Sequence, residues 1–339
     1  MSFSNLFYSS TKKNSVICYG LFLICLSSYS QHVVPFSQFY QNETLLNPAL
    51  SGQVGTDVGL NFRSQWSSAN SPFRTIAANA GIKTLQNFEK TRHLGVGAYV
   101  LNDKLGAGQI KSNVLGGAIS GHIKLGLSNT LSLGLMGNFR MNTVDISKFT
   151  TDNQYQNGTF DPGASIGENF ALTRQSYLNY TGGLSWNYVP KTAFSMQNSD
   201  FSFNAGLSVT YTPNKSVFIA GSSPKYWRWQ GHGNFHFALN SGNSFEPSVL
   251  YIKDGPFNQV VVGASVKSYF KAGSKYTELV HGATISYGAF YRFKDALFAQ
   301  FLIKMSNYQI GLSYDFTISR YIVASKVRGG PEISLRYFF

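Results

Sequence analysis

From residue 54 to the carboxy-terminus, apolar and polar side chains alternate with a period of two. Val54, Val58, Leu60 and Phe62 share one face, against Gly55, Asp57, Asn61 and Arg63 on the other. Leu94, Val96, Ala98 and Val100 alternate with glycines and Tyr99. Leu131, Leu133, Leu135, Phe139 and Met141 alternate with Ser132, Gly134, Met136, Asn138 and Arg140. The same rhythm returns at 201–211, 227–239, 260–267 and 283–293. Successive side chains of a strand point to opposite faces, so a two-residue period predicts strands. Turn signals separate them, among them Asn102-Asp103, Pro213-Asn214, Lys253-Asp254-Gly255 and Ser306-Asn307. The pattern predicts about fourteen strands, starting near residues 54, 73, 93, 109, 130, 176, 201, 226, 244, 258, 281, 295, 306 and 331. Several exceed ten residues, which suits strands tilted across an apolar band of about 25 Å. Strands of a soluble sandwich are shorter, at about five or six residues.

Two features favour a membrane barrel over a soluble one. Aromatics gather at strand ends, as in Tyr226-Trp227-Trp229, Tyr291-Phe293 and Tyr337-Phe339, where interfacial girdles lie. The positions read as inward are polar or glycine, which predicts a lumen that is wet or filled by a polar partner. The last residues repeat the pattern: Ile333, Leu335, Tyr337 and Phe339 against Glu332, Ser334 and Arg336. That strand is similar to the terminal strand by which bacterial outer-membrane barrels are recognised for insertion. The expected fold is therefore all-β, a transmembrane antiparallel β-barrel over 54–339 in the bacterial outer membrane. After residue 30 no run of 18 apolar residues suggests a helical span.

The first thirty residues read differently. Lys12-Lys13, an apolar stretch from Val16 to Leu26, and Ser28 and Ser30 at the −3 and −1 positions describe a signal peptide. Cleavage is expected between Ser30 and Gln31. A membrane anchor is the weaker alternative, because the stretch falls short of the roughly 20 apolar residues a spanning helix needs. Cys18 and Cys25 both lie in this segment. The processed chain then has no disulfide, metal thiolate or cysteine nucleophile.

Composition narrows the function classes. The 339 residues are 15% aromatic and 13% charged, with a formal net charge of +13. Few charges and many aromatics argue against disorder and against a coiled coil. The basic residues are scattered rather than clustered, which argues against nucleic acid as a partner. The excess is read as pairing with lipopolysaccharide phosphates at the outer leaflet, or else as engagement of acidic cargo; the first needs only ordinary phosphate–cation attraction. Enzyme chemistry finds little support, and no cofactor or metal is expected. His232 and His236 fall on one strand over about 12 Å apart by rise, which is not ligand spacing. No HExxH or P-loop motif occurs.

Ordered blocks along the chain carry a family resemblance. Phe36-Ser37-Gln38-Phe39-Tyr40 and Asn47-Pro48-Ala49 resemble the start of the PorP/SprF family, outer-membrane proteins of the Bacteroidota type IX secretion and gliding systems. Asp145–Phe149, Asp152–Tyr155, Phe160-Asp161-Pro162, Tyr308–Ser319 and Glu332–Tyr337 continue the likeness. Pro331 departs from it, where the family more often has histidine. The resemblance implies a barrel of fatty-acid-transporter-like size. It also implies type IX secretion components and secreted adhesin carboxy-terminal domains as partners, with the chain as exporter or anchor.

Two segments stand out as candidate sites. Residues 31–53 precede the first strand and are expected to be extended, either as a tethered piece closing the barrel floor, which is preferred, or as a plug or periplasmic handle. The longest break in alternation, from Val144 to Arg174, is read as a partner-contacting loop, punctuated by Phe149, Tyr155, Phe160 and Phe170 and including Asp161 and Pro162; a simple lid over the pore is the alternative. A channel for small or hydrophobic solutes is the rival function on the same fold.

Overall fold

The computed structural model describes residues 36–66, 72–87, 91–106, 110–148, 150–156, 158–167, 173–190, 201–213, 227–240, 242–271, 282–319, 325 and 327–339. Fourteen antiparallel strands form a closed barrel. They are β1 (Asp57–Gln65), β2 (Phe73–Thr84), β3 (Arg92–Leu105), β4 (Ile110–Leu125), β5 (Asn129–Thr143), β6 (Arg174–Tyr188) and β7 (Phe201–Tyr211). The second half comprises β8 (Arg228–Asn240), β9 (Asn243–Asp254), β10 (Phe257–Lys271), β11 (Ala283–Arg292), β12 (Ala296–Met305), β13 (Tyr308–Thr317) and β14 (Arg328–Phe338). Each strand pairs with its sequence neighbour, and β1 closes on β14 with Asp57 opposite Phe338. Closure leaves no unpaired edge, which a sheet in lipid requires. The expected strand count holds, and each strand begins within three residues of its predicted start; the first begins at Asp57 rather than 54.

The alternation sorts side chains as expected. On β1, Val58, Leu60 and Phe62 are exposed on the outer wall, while Asp57, Asn61 and Arg63 are buried inside. The terminal strand does the same: Ile333 and Leu335 face out, Glu332, Ser334 and Arg336 face in. Both barrel ends of the chain, Asp57 and Phe338, sit at one rim, the termini rim. The thirty-residue excursion 144–173 leaves from the other, the long-loop rim.

The interior differs from expectation in two ways. Residues 36–53 are not extended. They coil into three short turns, Phe39–Gln41, Glu43–Leu46 and Pro48–Leu50, and pack inside the barrel against the walls. Helical turns satisfy much of their own backbone, which an extended strand crossing a lumen does not. Asn47 starts the last turn by accepting the Ala49 N–H at its side-chain oxygen (3.0 Å), with Pro48 at the first helical position, where its missing N–H costs nothing. Nor is the lumen polar throughout. Leu250, Ile252, Val261, Phe290 and Phe298 point inward from β9–β12 and form one buried cluster with Phe39, Leu46 and Leu50. The plug has an apolar face, and this sector of the wall is its complement.

Candidate functional site

The plug is held to the wall at three places around the lumen. At β13–β14, the Glu332 carboxylate accepts two successive backbone amides, Ser37 N–H (2.7 Å) and Gln38 N–H (2.9 Å), one on each oxygen. Ser334 donates to the Gln38 side-chain oxygen (2.7 Å). Across the lumen, the Asn47 amide donates to the Leu184 and Leu207 carbonyls on β6 and β7 (3.0 and 3.4 Å), and Gln230 of β8 donates to the Leu46 carbonyl (2.9 Å). At β4, Ser120 donates to the Ser51 carbonyl (2.7 Å), beside His122 at 3.0 Å. The His122 ring stacks on His93 with centroids 4.3 Å apart.

A buried charge cluster surrounds the first anchor. Arg63 meets Asp315 at 2.8 Å, and Arg292 meets Asp295 at 3.0 Å and Asp315 at 3.2 Å. The Ser37 hydroxyl sits inside this cluster, donating to Asp315 (2.6 Å) and accepting from Arg292 (2.9 Å). Charges this buried persist only when paired and hydrogen-bonded, and removing one partner of such a pair costs about 3–5 kcal/mol. Toward the termini rim, Arg336 bridges Glu43 of the plug and Asp57 of β1, both at 2.8 Å. Burial raises the Glu43 carboxyl above its ordinary range, Arg336 opposes the rise, and Asp57 adds to it. Burial also pushes the Tyr40 phenol up, so it stays neutral.

Above the long-loop rim, the excursion folds on itself. Val144 N–H donates to the Thr173 carbonyl (2.9 Å) at its base. Thr151 donates through its hydroxyl to the Ile166 carbonyl (2.7 Å), and its N–H reaches the Gln154 side-chain oxygen (3.1 Å). A two-rung hairpin pairs Tyr155–Gln156 with Thr159–Phe160. Its turn back is set by Asp161, whose carboxylate accepts the Gly163 N–H (2.8 Å), with Pro162 between them. The result is an aromatic pair, Tyr155 and Phe160, with ring centroids 5.3 Å apart and side chains 64% and 41% exposed.

The residues singled out in the sequence therefore fall into separate places. Phe36, Ser37, Gln38, Tyr40, Asn47, Pro48 and Ala49 all lie in the plug, brought together by the wall. Tyr155, Phe160, Asp161 and Pro162 lie in the loop hairpin, whereas Phe149 and Phe170 fall outside the described residues, as do Ser30 and Gln31. Tyr337 packs edge-on against Phe339 at the termini rim (4.8 Å). His232 and His236 both face the lumen but serve different partners, Asn204 (3.1 Å) and Glu246 (3.0 Å). Among the described residues no group of three His, Cys, Asp or Glu could hold a metal ion. Sequence reasoning gave no role to Arg63, Arg292, Asp315 and Glu332. Their signal was available, since each is an ionised side chain at an inward position of a strand.

Residues 28–337 match the model of a family described as "Type IX secretion system membrane protein PorP/SprF". No curated protein matches the chain. Among solved structures, the toluene transporter TbuX of Ralstonia pickettii is similar at 12% identity, with a TM-score of 0.50, over 87% of this chain and 93% of that one. A deletion mutant of the monoaromatic hydrocarbon channel TodX is similar at 9% identity, with a TM-score of 0.50, over 87% and 94%. At such identity the likeness is one of fold.

Proposed function

The chain belongs to the PorP/SprF family of type IX secretion system membrane proteins in the bacterial outer membrane, and from that premise we propose that it acts without catalysis, supporting export or surface anchoring of large adhesin-type proteins through protein–protein contact. Secreted adhesin carboxy-terminal domains and other type IX components are its protein partners, outer-membrane lipid and lipopolysaccharide its surroundings, and gliding one process it serves. The observation that carries this reading is the aromatic pair Tyr155 and Phe160, exposed on a hairpin braced by Thr151, Gln154 and Asp161 at the long-loop rim. Short turns face the periplasm and long loops the outside in barrels of this kind, so the pair projects toward the cell surface. Aromatic anchors of this sort dominate the energy of protein interfaces.

The barrel reaches the outer membrane as a secreted precursor cut between Ser30 and Gln31; amino-terminal sequencing of the assembled protein tests this by reading Gln31 first. The partner role is tested by co-purification in mild detergent. The intact barrel should retain an adhesin-type protein, and Y155S/F160S or deletion of 150–170 should release it while the barrel stays folded. Unchanged partner retention and surface display in the folded deletion variant would refute the role of the loop. A solute-selective conductance with no protein bound would favour a channel instead. The hydrogen-bonded plug supports the partner reading over that one, because it occupies the path a solute would take.

A further inference from the structure

The outer wall carries a second surface that the alternation alone does not explain. At the long-loop rim, register sets Arg74 of β2 opposite Lys104 of β3, and Lys104 opposite Lys111 of β4. Thr143 of β5 continues the row, and Arg174 of β6 stands opposite Thr143. All four cations occupy outward positions within one residue of their strand ends. Among the described residues, none of them makes a side-chain hydrogen bond or ion pair. Directly opposed residues on paired strands stand about 5 Å apart, and like charges there repel. The row therefore concentrates positive charge on one face and favours an anion beside it.

What lies beneath it says which anion. In the next outward row Asn102 and Asn113 stand opposite each other, flanked by Ile76 and Met141, with the Asn102 amide donating to the Asn113 oxygen (2.5 Å). The row after that is hydrocarbon, Val100, Leu115 and Phe139 abreast. Rows two residues apart on strands tilted by about 40° are separated by about 5 Å along the membrane normal. Cation, amide and hydrocarbon thus follow one another within about 10 Å. Elsewhere at this rim the outer wall carries the aromatic side chains Tyr211, Trp229 and Phe316, with single cations beside two of them, Lys253 opposite Trp229 and Arg328 opposite Phe316. The cation row is confined to the β2–β6 sector.

We propose that the β2–β6 face at the long-loop rim is a binding site for a phosphorylated glycolipid of the outer leaflet. Its phosphates lie on Arg74, Lys104, Lys111 and Arg174, its acyl linkages at the level of Asn102 and Asn113, and its chains on the apolar rows below. Arg forks match phosphate oxygens, and lysine ammonium groups supply point charges. This deepens the lipid contact of the proposed function and rests on that rim facing outward.

The test compares full-length barrels extracted from outer membranes in mild detergent, with bound glycolipid quantified by its phosphate and hydroxy fatty acids. The wild type should retain it. R74S/K104S/K111S/R174S should hold at least about a hundredfold less, each charge contributing about fivefold, while K253S should match the wild type. Equal retention by the quadruple variant, or equal loss in K253S, would overturn the site. A second measurement needs no variant: wild-type barrel in phosphatidylcholine vesicles should melt higher with bis-phosphorylated lipid A than with its dephosphorylated form, and equal melting would also overturn it. Labelling of Asp161→Cys by an impermeant maleimide on whole cells tests the orientation separately. Labelling only after permeabilisation would refute the proposal through its premise, whereas surface labelling without lipid retention would refute the site alone.

Discussion

Glu332 fastens the plug more firmly than any neutral contact does, and its replacement by glutamine has a calculable effect. Each carboxylate oxygen accepts one backbone amide, from Ser37 and Gln38. Hydrogen bonds to an ionised acceptor contribute about 1.5–3 kcal/mol each, against about 1 kcal/mol for neutral ones. In Glu332→Gln one amide keeps a neutral acceptor and loses about 1 kcal/mol. The other faces the glutamine NH2, donor against donor, and loses about 2 kcal/mol. The free energy of opening the plug then falls by about 3 kcal/mol, a shift of about 150-fold in the opening equilibrium. Hydrogen exchange followed by mass spectrometry reads this directly, as faster exchange in peptides covering 36–53 with the wall strand 243–254, which has no bond to Glu332, unchanged. Ser334→Ala, which removes one neutral hydrogen bond to Gln38, should accelerate the same peptides only about fivefold. Equal acceleration in both variants, or none in Glu332→Gln, would refute the carboxylate anchor. Acceleration of the wall as well would show that Glu332 supports the barrel instead of the plug.

Other perturbations follow from the same geometry. Asn47→Ala removes two donors and one acceptor and should destabilise the closed plug by about 2–3 kcal/mol, seen as protease cleavage of 36–53 at lower urea; Asn47→Asp should cost as much, since a carboxylate offers nothing to the Leu184 and Leu207 carbonyls. Gly134→Ala puts a methyl group onto the backbone of Pro48 and Ala49, an overpacking of about 1–3 kcal/mol that should displace the plug and raise single-barrel conductance in planar bilayers. Phe339→Ser removes a ring that is 75% exposed, so refolding into detergent should be unchanged while the assembled fraction in cells falls severalfold, as measured by heat-modifiable mobility.

The wall was legible because one physical fact acts on every strand: lipid lies outside and polar groups lie inside. That fact writes a period of two into Val58, Leu60 and Phe62 against Asn61 and Arg63, and turn residues then mark where each strand stops. The plug was not legible in the same way. Ser37 and Glu332 lie 295 residues apart, and alternation says that Glu332 faces in without saying what it meets there. Nor does alternation reveal that Leu250 and Ile252 are inward, because a strand apolar on both faces has no period to read. Their reason for being apolar is the plug, whose Phe39, Leu46 and Leu50 need a dry surface.

The same logic explains why the cation row escaped notice in the sequence. Arg74, Lys104, Lys111 and Arg174 are isolated charges along the chain, spaced by 30, 7 and 63 positions, and only strand register sets them abreast. A net positive charge read from composition has no location, so it favoured lipid over cargo only on general grounds and named no residue for either. Register gives each charge a place. The inward cations Arg63, Arg292 and Arg336 are already paired with Asp315, Asp295, Glu43 and Asp57, whereas Arg140 and Arg228 face the lumen without an ion pair among the described residues. The unpaired excess of the β2–β6 sector stands on the outer wall, at the depth where the leaflet carries its phosphates.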